Sequence, residues 1–381
     1  MTVRVLQGDC RDVLKTLPDE SVHCVVTSPP YFGLRDYGVT GQIGLEGTPE
    51  AFVAELVKVF ADARRVLRSD GTLWLNLGDS YVAPNGRSSG GSYGRGPNSQ
   101  LAHMHEAQEQ GIVRGWGTLP AKNLVGVPWR VAFALQAAGW WLRQDIIWAK
   151  PNPMPESIRD RATKAHEYLF LLAKSERYYF DFEAFSEPRV GTDDAGVAGW
   201  ASGDTPHSAI AHNRQKGDAK TFRGGQYVND NKFQNSHATE RSSTGNQASL
   251  KTTRNRRSVW TIATEAFDGA HFATFPTALV EPCILAGCPE RTCGACGTAL
   301  SLPSLRREDS DFSVCPSCNA ALDEVGVAPG VVLDCFGGAG TTGLVADRHK
   351  RNAILIELNP EYAEMARNRI TNDSPLFAEV E

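Results

Sequence analysis

Short apolar runs alternate with segments of helical periodicity along most of this chain. Seven runs predict strands: 3–8 (VRVLQG), 22–28 (VHCVVTS), 72–78 (TLWLNLG), 145–150 (DIIWAK), 167–174 (EYLFLLAK), 331–336 (VVLDCF) and 352–358 (NAILIEL). Several are continuous rather than alternating, the pattern of strands covered on both faces. Between them, 49–68 repeats apolar residues at helical spacing behind Thr48 and Pro49, a cap and a first-turn proline. Residues 127–139 run to a glycine stop, and 359–370 begin on Asn359 and Pro360. Strands alternating with helices predict an open α/β sheet.

Three stretches break this rhythm. Residues 84–100 (PNGRSSGGSYGRGPNSQ) are rich in Gly and Ser and read as a loop. Residues 186–258 are polar and lack apolar periodicity. Residues 288–325 carry two Cys-x-x-Cys pairs. The expected organisation is a core in three pieces, 1–185, 259–287 and 326–381, interrupted by inserts at 186–258 and 288–325.

Composition adds limits. The 381 residues are 41% hydrophobic and 22% charged, ordinary for a globular protein. No apolar run approaches the ~20 residues that span a bilayer, so no membrane partner is expected. The start lacks a signal-peptide layout, which makes the cytoplasm the expected location. The net charge of −5 hides a local excess: between Ser208 and Trp260 stand ten Lys or Arg against three acids. Such asymmetry suits a surface facing a polyanion; a solvated insert is the plainer reading.

The run VVLDCFGGAGTTGLVADRHKRNAILIEL holds a strand ending at Asp334, a loop with Gly337, Gly338 and Gly340, a helix starting at Thr341 and Thr342, and a second strand ending at Glu357. Glycines let backbone approach a ligand, and an acid closing the next strand suits a ribose diol. Without Gly-Lys-Ser/Thr it is not a phosphate-gripping loop. Asp334 suits a cationic amino group. Earlier, a core-like strand ends in TSPPY (27–31). Prolines stop strand pairing, so this is either a plain strand end with a core tyrosine or an elbow presenting Ser28, Pro29, Pro30 and Tyr31 to a flat substrate. Cys293-x-x-Cys296 and Cys315-x-x-Cys318, 18 residues apart, have zinc-ribbon spacing. Four thiolates would close the shell, making the metal structural.

DCFGGAGTT (334–342) resembles motif I of the DNA amino-methyltransferases that use S-adenosyl-L-methionine (AdoMet), and TSPPY resembles their catalytic motif. The catalytic motif comes first here, which marks the permuted, β-class arrangement. The resemblance implies a Rossmann-like methyltransferase fold with a seven-stranded, mostly parallel sheet ordered 3-2-1-4-5-7-6 in the family's strand naming. It implies AdoMet contacts at Asp334, Phe336, Gly337, Gly338, Gly340, Thr341, Thr342 and Glu357. LQGDC places Asp9 where the family reads the adenine amino group, and HFATFPTALVEPCILAG (271–287) places Phe275 beside AdoMet. Ser28 and the Pro29 carbonyl would accept from a target amine, and Tyr31 would stack on a base flipped out of double-stranded DNA.

The basic insert occupies the family's target-recognition position, with Arg223, Arg254, Arg256 and Arg257 as candidate DNA contacts. In the family a first-position Ser accompanies mainly N4-cytosine methylation. The expectation is therefore a sequence-specific N4-cytosine enzyme, alone or as the methylase half of a restriction system, with a homodimer as an open alternative to a monomer. The rivals are an N6-adenine enzyme of the same class, an RNA or protein-amide methyltransferase, and an inactive DNA-binding module.

Overall fold

The computed structural model describes residues 1–33, 39, 41–82, 119–188, 253–265, 275–300, 313–374 and 379–381, and the backbone alone at 221–222 and 225–226. They fall into two units: Met1–Phe185 with Arg257–Glu381, and Ser186–Arg256. In the second unit, Glu187–Pro188 pairs antiparallel with Thr253–Arg254.

The first unit is built on one sheet. Its strands are β1 (Thr2–Gln7), β2 (Val22–Thr27), β3 (Leu67–Leu77), β4 (Trp141–Ala149), β5 (His166–Ala173), β6 (Val259–Thr261), β7 (Val331–Asp334), β8 (Asn352–Glu357) and β9 (Glu379–Val380). They lie in the order β6-β4-β5-β3-β2-β7-β8-β1-β9. All neighbours are parallel except β5, which runs antiparallel to both β3 and β4. The sheet has nine strands rather than seven, because short edge strands extend it at both sides. β4 also starts four residues before its apolar run: Trp141, Arg143 and Asp145 alternate outward, so its first half is a one-faced strand that a continuous-run reading passes over.

Among the described residues the helices longer than one turn are α1 (Cys10–Thr16), α2 (Pro49–Val66), α3 (Val127–Ala137), α4 (Thr277–Gly287), α5 (Thr341–Arg348) and α6 (Pro360–Asp373). Strand alternation sorts the core into two faces. Val25, Leu73, Leu75 and Leu333 pack under α1, α2 and α3. Cys24, Val26, Trp74 and Val332 pack under α4, α5 and α6. Period-2 side chains thus feed both faces of one sheet. Thr48 accepts from the Ala51 N–H at 3.2 Å to start α2, and Asn359 accepts from Glu361 at 2.9 Å to start α6.

The segment after α4 holds the cysteine pairs. Thr292–Cys293 pairs antiparallel with Val327–Ala328, just before the chain enters β7. This segment is fastened to the amino ends of three strands. His23, buried on β2, accepts from the Val331 N–H through Nδ1 at 3.0 Å. Its other nitrogen then carries the proton and donates to the Gly297 carbonyl at 2.9 Å. Burial pulls the His23 pKa down to about 4, which keeps the ring neutral. From β3, Arg68 Nη1 donates to the Cys296 carbonyl at 2.6 Å. Among the described residues, no helix is long and apolar enough to cross a membrane.

Candidate active site

Because β1, β2, β3, β4, β7 and β8 are parallel and β5 is reversed, one edge of the sheet gathers six strand ends and one strand start. Ser28, Asn76, Lys150, Glu167, Asp334, Glu357 and Asp9 all lie there.

The glycine loop leaves β7 at Asp334. This carboxylate is 1% exposed, and both of its oxygens accept hydrogen bonds. Oδ1 accepts from Thr27 Oγ1 at 2.6 Å and from the Phe336 N–H at 3.0 Å, and Oδ2 accepts from Thr342 Oγ1 at 2.6 Å. Asp334 therefore pins the end of β2, the loop and the start of α5 together. Burial pushes its pKa up to about 7 against these hydrogen bonds. The loop closes through Gly337 N–H to Ile356 O and Gly340 N–H to Gly337 O, both 2.8 Å. Gly340, at φ +77°, sits where a Cβ would stand 2.9 Å from that of Ala366, so only glycine lets α6 come this close. Thr341 accepts from Arg369 Nη1 at 2.9 Å.

Glu357 closes β8. Its Oε2 accepts from the Gly338 N–H and its Oε1 from the Asn359 N–H, both at 2.8 Å, and burial raises its pKa. The carboxylate keeps acceptor capacity beyond these bonds, so loop and acid fit a nucleoside-type cofactor. Asp9 also has a local job that the sequence reading did not include. It caps α1 by accepting from the Arg11 N–H at 2.9 Å, and it pairs with the Arg11 guanidinium, whose hydrogen bond lowers its pKa. A carboxylate at a helix start beside an arginine two residues on is drawn to local partners first. Phe336 packs against the core face under α2, and Phe275 against the face under α4.

The TSPPY segment ends β2. Ser28 Oγ donates to Asn76 Oδ1 at 3.3 Å. Tyr31 Oη lies 3.0 Å from the same oxygen and 2.6 Å from Glu167 Oε2. Glu167 is ion-paired with Lys150, whose Nζ stands 4.1 Å above the Trp148 ring. Pro29 and Pro30 offer no backbone N–H at this edge. Asn76 and Glu167 are functional candidates that the sequence reading passed over. Their signal was a lone polar residue inside the apolar run TLWLNLG and another at the head of EYLFLLAK.

A profile of the DNA methylase family of N6/N4 type matches residues 22–368. The chain belongs to this family. It is a DNA amino-methyltransferase of the AdoMet-dependent type. It is 38% identical over 369 residues to the type II methyltransferase M.Cfr9I of Citrobacter freundii, spanning 97% of this chain and 88% of that protein. It is 37% identical over 367 residues to M.SmaI of Serratia marcescens, spanning 96% and 90%. Among solved structures, TTHA0409 of Thermus thermophilus, complexed with S-adenosyl-L-methionine, aligns over 99% of this chain and 97% of its own at TM-score 0.49 and 20% identity.

In this methylase the cysteine cluster lies at the opposite edge. The sulfurs of Cys293, Cys296, Cys315 and Cys318 all fall within 4.8 Å of one another, with Cys293–Cys318 at 3.8 Å and Cys296–Cys315 at 3.6 Å. A tetrahedral zinc site with bonds of about 2.3 Å has sulfur–sulfur edges of about 3.8 Å, so the four thiols fit zinc. Of the candidate DNA contacts, Arg254 is paired with Glu187 at 2.8 Å. Its guanidinium is partly spent inside its own unit. Arg256 is half-buried in that unit, Arg257 is exposed in the first, and Arg223 lies outside the described residues.

Proposed function

We propose that this methylase transfers the AdoMet methyl group to the exocyclic N4 of cytosine within a specific double-stranded DNA sequence, after flipping the base. The observation that carries the reading is Ser28, a neutral acceptor at the first position of the proline elbow, one strand away from the glycine loop. An exocyclic amine is a poor nucleophile because its lone pair is delocalised into the ring. Ser28 Oγ and the Pro29 carbonyl would accept its two N–H groups and favour tetrahedral nitrogen. Pro29 and Pro30 pre-set that carbonyl, and Tyr31 offers its ring for stacking.

Glu357 and the loop at Gly337, Gly338 and Gly340 would hold AdoMet, with Thr341 and Thr342 opening α5 beside it. When bound, the cofactor supplies an electrophilic methyl on its sulfonium. Asp334 keeps the loop and β2 in register. The basic segment 186–258 is read as the target-recognition region. The type II names of the relatives support a partner role in restriction–modification. Cys293, Cys296, Cys315 and Cys318 would hold a structural zinc.

The test is to express the chain in a host free of DNA methylases and sequence host DNA with modification-sensitive reads. N4-methylcytosine in one short motif is the expected result. N6-methyladenine would transfer the reading to the other base, and unmodified DNA in a cell making the folded protein would overturn both.

A further inference from the structure

We infer that Asn76 is a positioning residue that fixes the hydroxyl proton of Ser28 and so makes Ser28 an acceptor toward the target amine. The inference rests on the methyl-transfer reading above. Asn76 is 3% exposed and lies on β3 directly beside the elbow, because Thr27 of β2 registers with Leu75.

The orientation of its amide follows from its partners. Tyr168 presents a backbone carbonyl 3.1 Å from Asn76 Nδ2, and Glu167 presents a carboxylate oxygen 3.3 Å from it. Carbonyl and carboxylate oxygens accept only, so the NH₂ end of the amide must face them. Oδ1 is then left facing Ser28 Oγ at 3.3 Å and Tyr31 Oη at 3.0 Å. An amide oxygen accepts only, so Ser28 gives up its single proton to it. The remaining lone pairs of Ser28 point away from Asn76.

This matters because a hydroxyl is ambivalent. A serine free to rotate could aim its proton at the amine nitrogen and occupy the lone pair that must attack the methyl. With the proton held by Asn76, Ser28 can only accept. Tyr31 is aligned by the same group of side chains: its proton runs to Glu167 Oε2 at 2.6 Å, and Glu167 is in turn held by Lys150. The two hydroxyl protons of the elbow are therefore both committed, that of Ser28 to Asn76 and that of Tyr31 to Glu167. The strand order makes this possible, since reversing β5 between β3 and β4 brings Glu167 between Asn76 and Lys150.

The experiment is single-turnover methylation of plasmid DNA from a methylase-free host with labelled AdoMet, comparing Asn76→Ala, Ser28→Ala and the double variant. Asn76→Ala should slow transfer on the order of 10²-fold, the usual cost of misplacing a reacting group by about 1 Å. AdoMet and DNA affinities should stay within about threefold of wild type. If Asn76 acts through Ser28, the double variant should be no more than about threefold slower than Ser28→Ala. A rate for Asn76→Ala within about threefold of wild type, or fully multiplicative losses, would overturn the inference while leaving the catalytic reading intact. An undiminished Ser28→Ala rate would sink that reading instead.

Should Asn76→Ala unfold, Asn76→Asp keeps the shape and gives a second readout. Protonated, the introduced carboxyl reproduces one acceptor and one donor; ionised, it faces the Glu167 carboxylate, a like charge that raises its pKa. Ionised, it can no longer donate to Glu167 and the Tyr168 carbonyl, the two bonds that aim the acceptor at Ser28, and the Lys150 cation paired with Glu167 draws it off the elbow. The transfer rate of this variant should therefore fall as pH rises through that pKa, a limb absent from wild type. Matching pH profiles for the two proteins would also overturn the inference.

Discussion

Gly78→Ala perturbs Tyr31 of the proline elbow in isolation from the rest of the fold. Gly78 directly follows β3, and a methyl there would stand 2.4 Å from Tyr31 Cε2, 2.8 Å from Cδ2 and 3.1 Å from Cζ. Carbon atoms rest about 3.5–4.0 Å apart, so the ring has to retreat by roughly 1.2 Å or more. Its hydroxyl is anchored 2.6 Å from Glu167 and 3.0 Å from Asn76. A retreat of that size carries both contacts to or past the limit of a useful hydrogen bond. Gly78 has no positive φ, so alanine adds no backbone strain. The stability cost is the overpacking alone, about 1–3 kcal/mol and toward the low end if the ring yields. The cost to chemistry is larger relative to its scale. Displacing a stacked base by about 1 Å is worth on the order of 10²-fold in rate, or about 2.7 kcal/mol of barrier. The assays are single-turnover methylation, AdoMet binding by calorimetry and urea unfolding, on wild type and Gly78→Ala. The expected pattern is slow transfer with AdoMet affinity intact, because the glycine loop lies two strands away across β2. Tyr31→Phe in the Gly78→Ala background removes the tether and should add little further loss. Transfer within about threefold of wild type, or AdoMet affinity falling in step with rate, would refute the reasoning.

Three further outcomes are expected. Gly340→Ala combines a left-handed φ of +77° with a contact of 2.9 Å to Ala366 Cβ; the two costs, about 1–2 and about 1–3 kcal/mol, should lower urea stability by about 2–5 kcal/mol. Purified protein should carry about one zinc per chain by elemental analysis, and both chelation and Cys315→Ser should lower the melting temperature. A chain without zinc that melts unchanged would remove the metal from the account. Asp334 has a folded pKa of about 7, raised by burial from the ~3.9 of an unfolded chain. The folded state therefore binds this proton more tightly, and the contribution of Asp334 to stability falls as pH rises from about 4 to about 7, then levels off. Asp334→Asn should erase that slope, and parallel stability curves for the two proteins between pH 4 and 8 would contradict the assigned burial.

Much of the scaffold was legible because it is written in local pattern. The continuous runs at 22–28, 331–336 and 352–358 became β2, β7 and β8 within two residues, since strands buried on both faces leave an unbroken apolar signature. The caps at Thr48 and Asn359 were legible for the same reason: a cap acts within three residues of itself. What escaped depends on tertiary adjacency. Asn76 and Glu167 are 91 residues apart and meet only because β5 is reversed next to β3. The side-chain hydrogen-bond partners of Asp334 are Thr27, 307 residues away, and Thr342, and the first of these is invisible to local spacing. Arg254 was read as a DNA contact from its basic cluster and the insert's position; its pairing with Glu187, 67 residues upstream, is a contact that no local spacing announces. Spacing along a chain identifies which groups are present; only the sheet order says which of them are already spoken for.

That division bears on the cysteine segment. His23 stands near the start of β2 and Ser28 directly follows its end, five residues on, which at about 3.3 Å per residue is roughly 16 Å. The cysteine segment grips β2 through His23, β3 through Arg68, and β7 through the Val331 N–H that His23 also holds. These are the strands whose other ends carry Ser28, Asn76 and Asp334. A metal bound there would be too far from the elbow to touch a target base, but it would clamp three strands whose relative register sets the elbow, its positioning amide and the cofactor loop. Its loss should therefore appear as a smaller folded fraction and a lower melting temperature, with the transfer rate per folded molecule little changed. A rate per folded molecule that collapses on chelation, at constant melting temperature, would mean instead that the clamp reaches the chemistry directly.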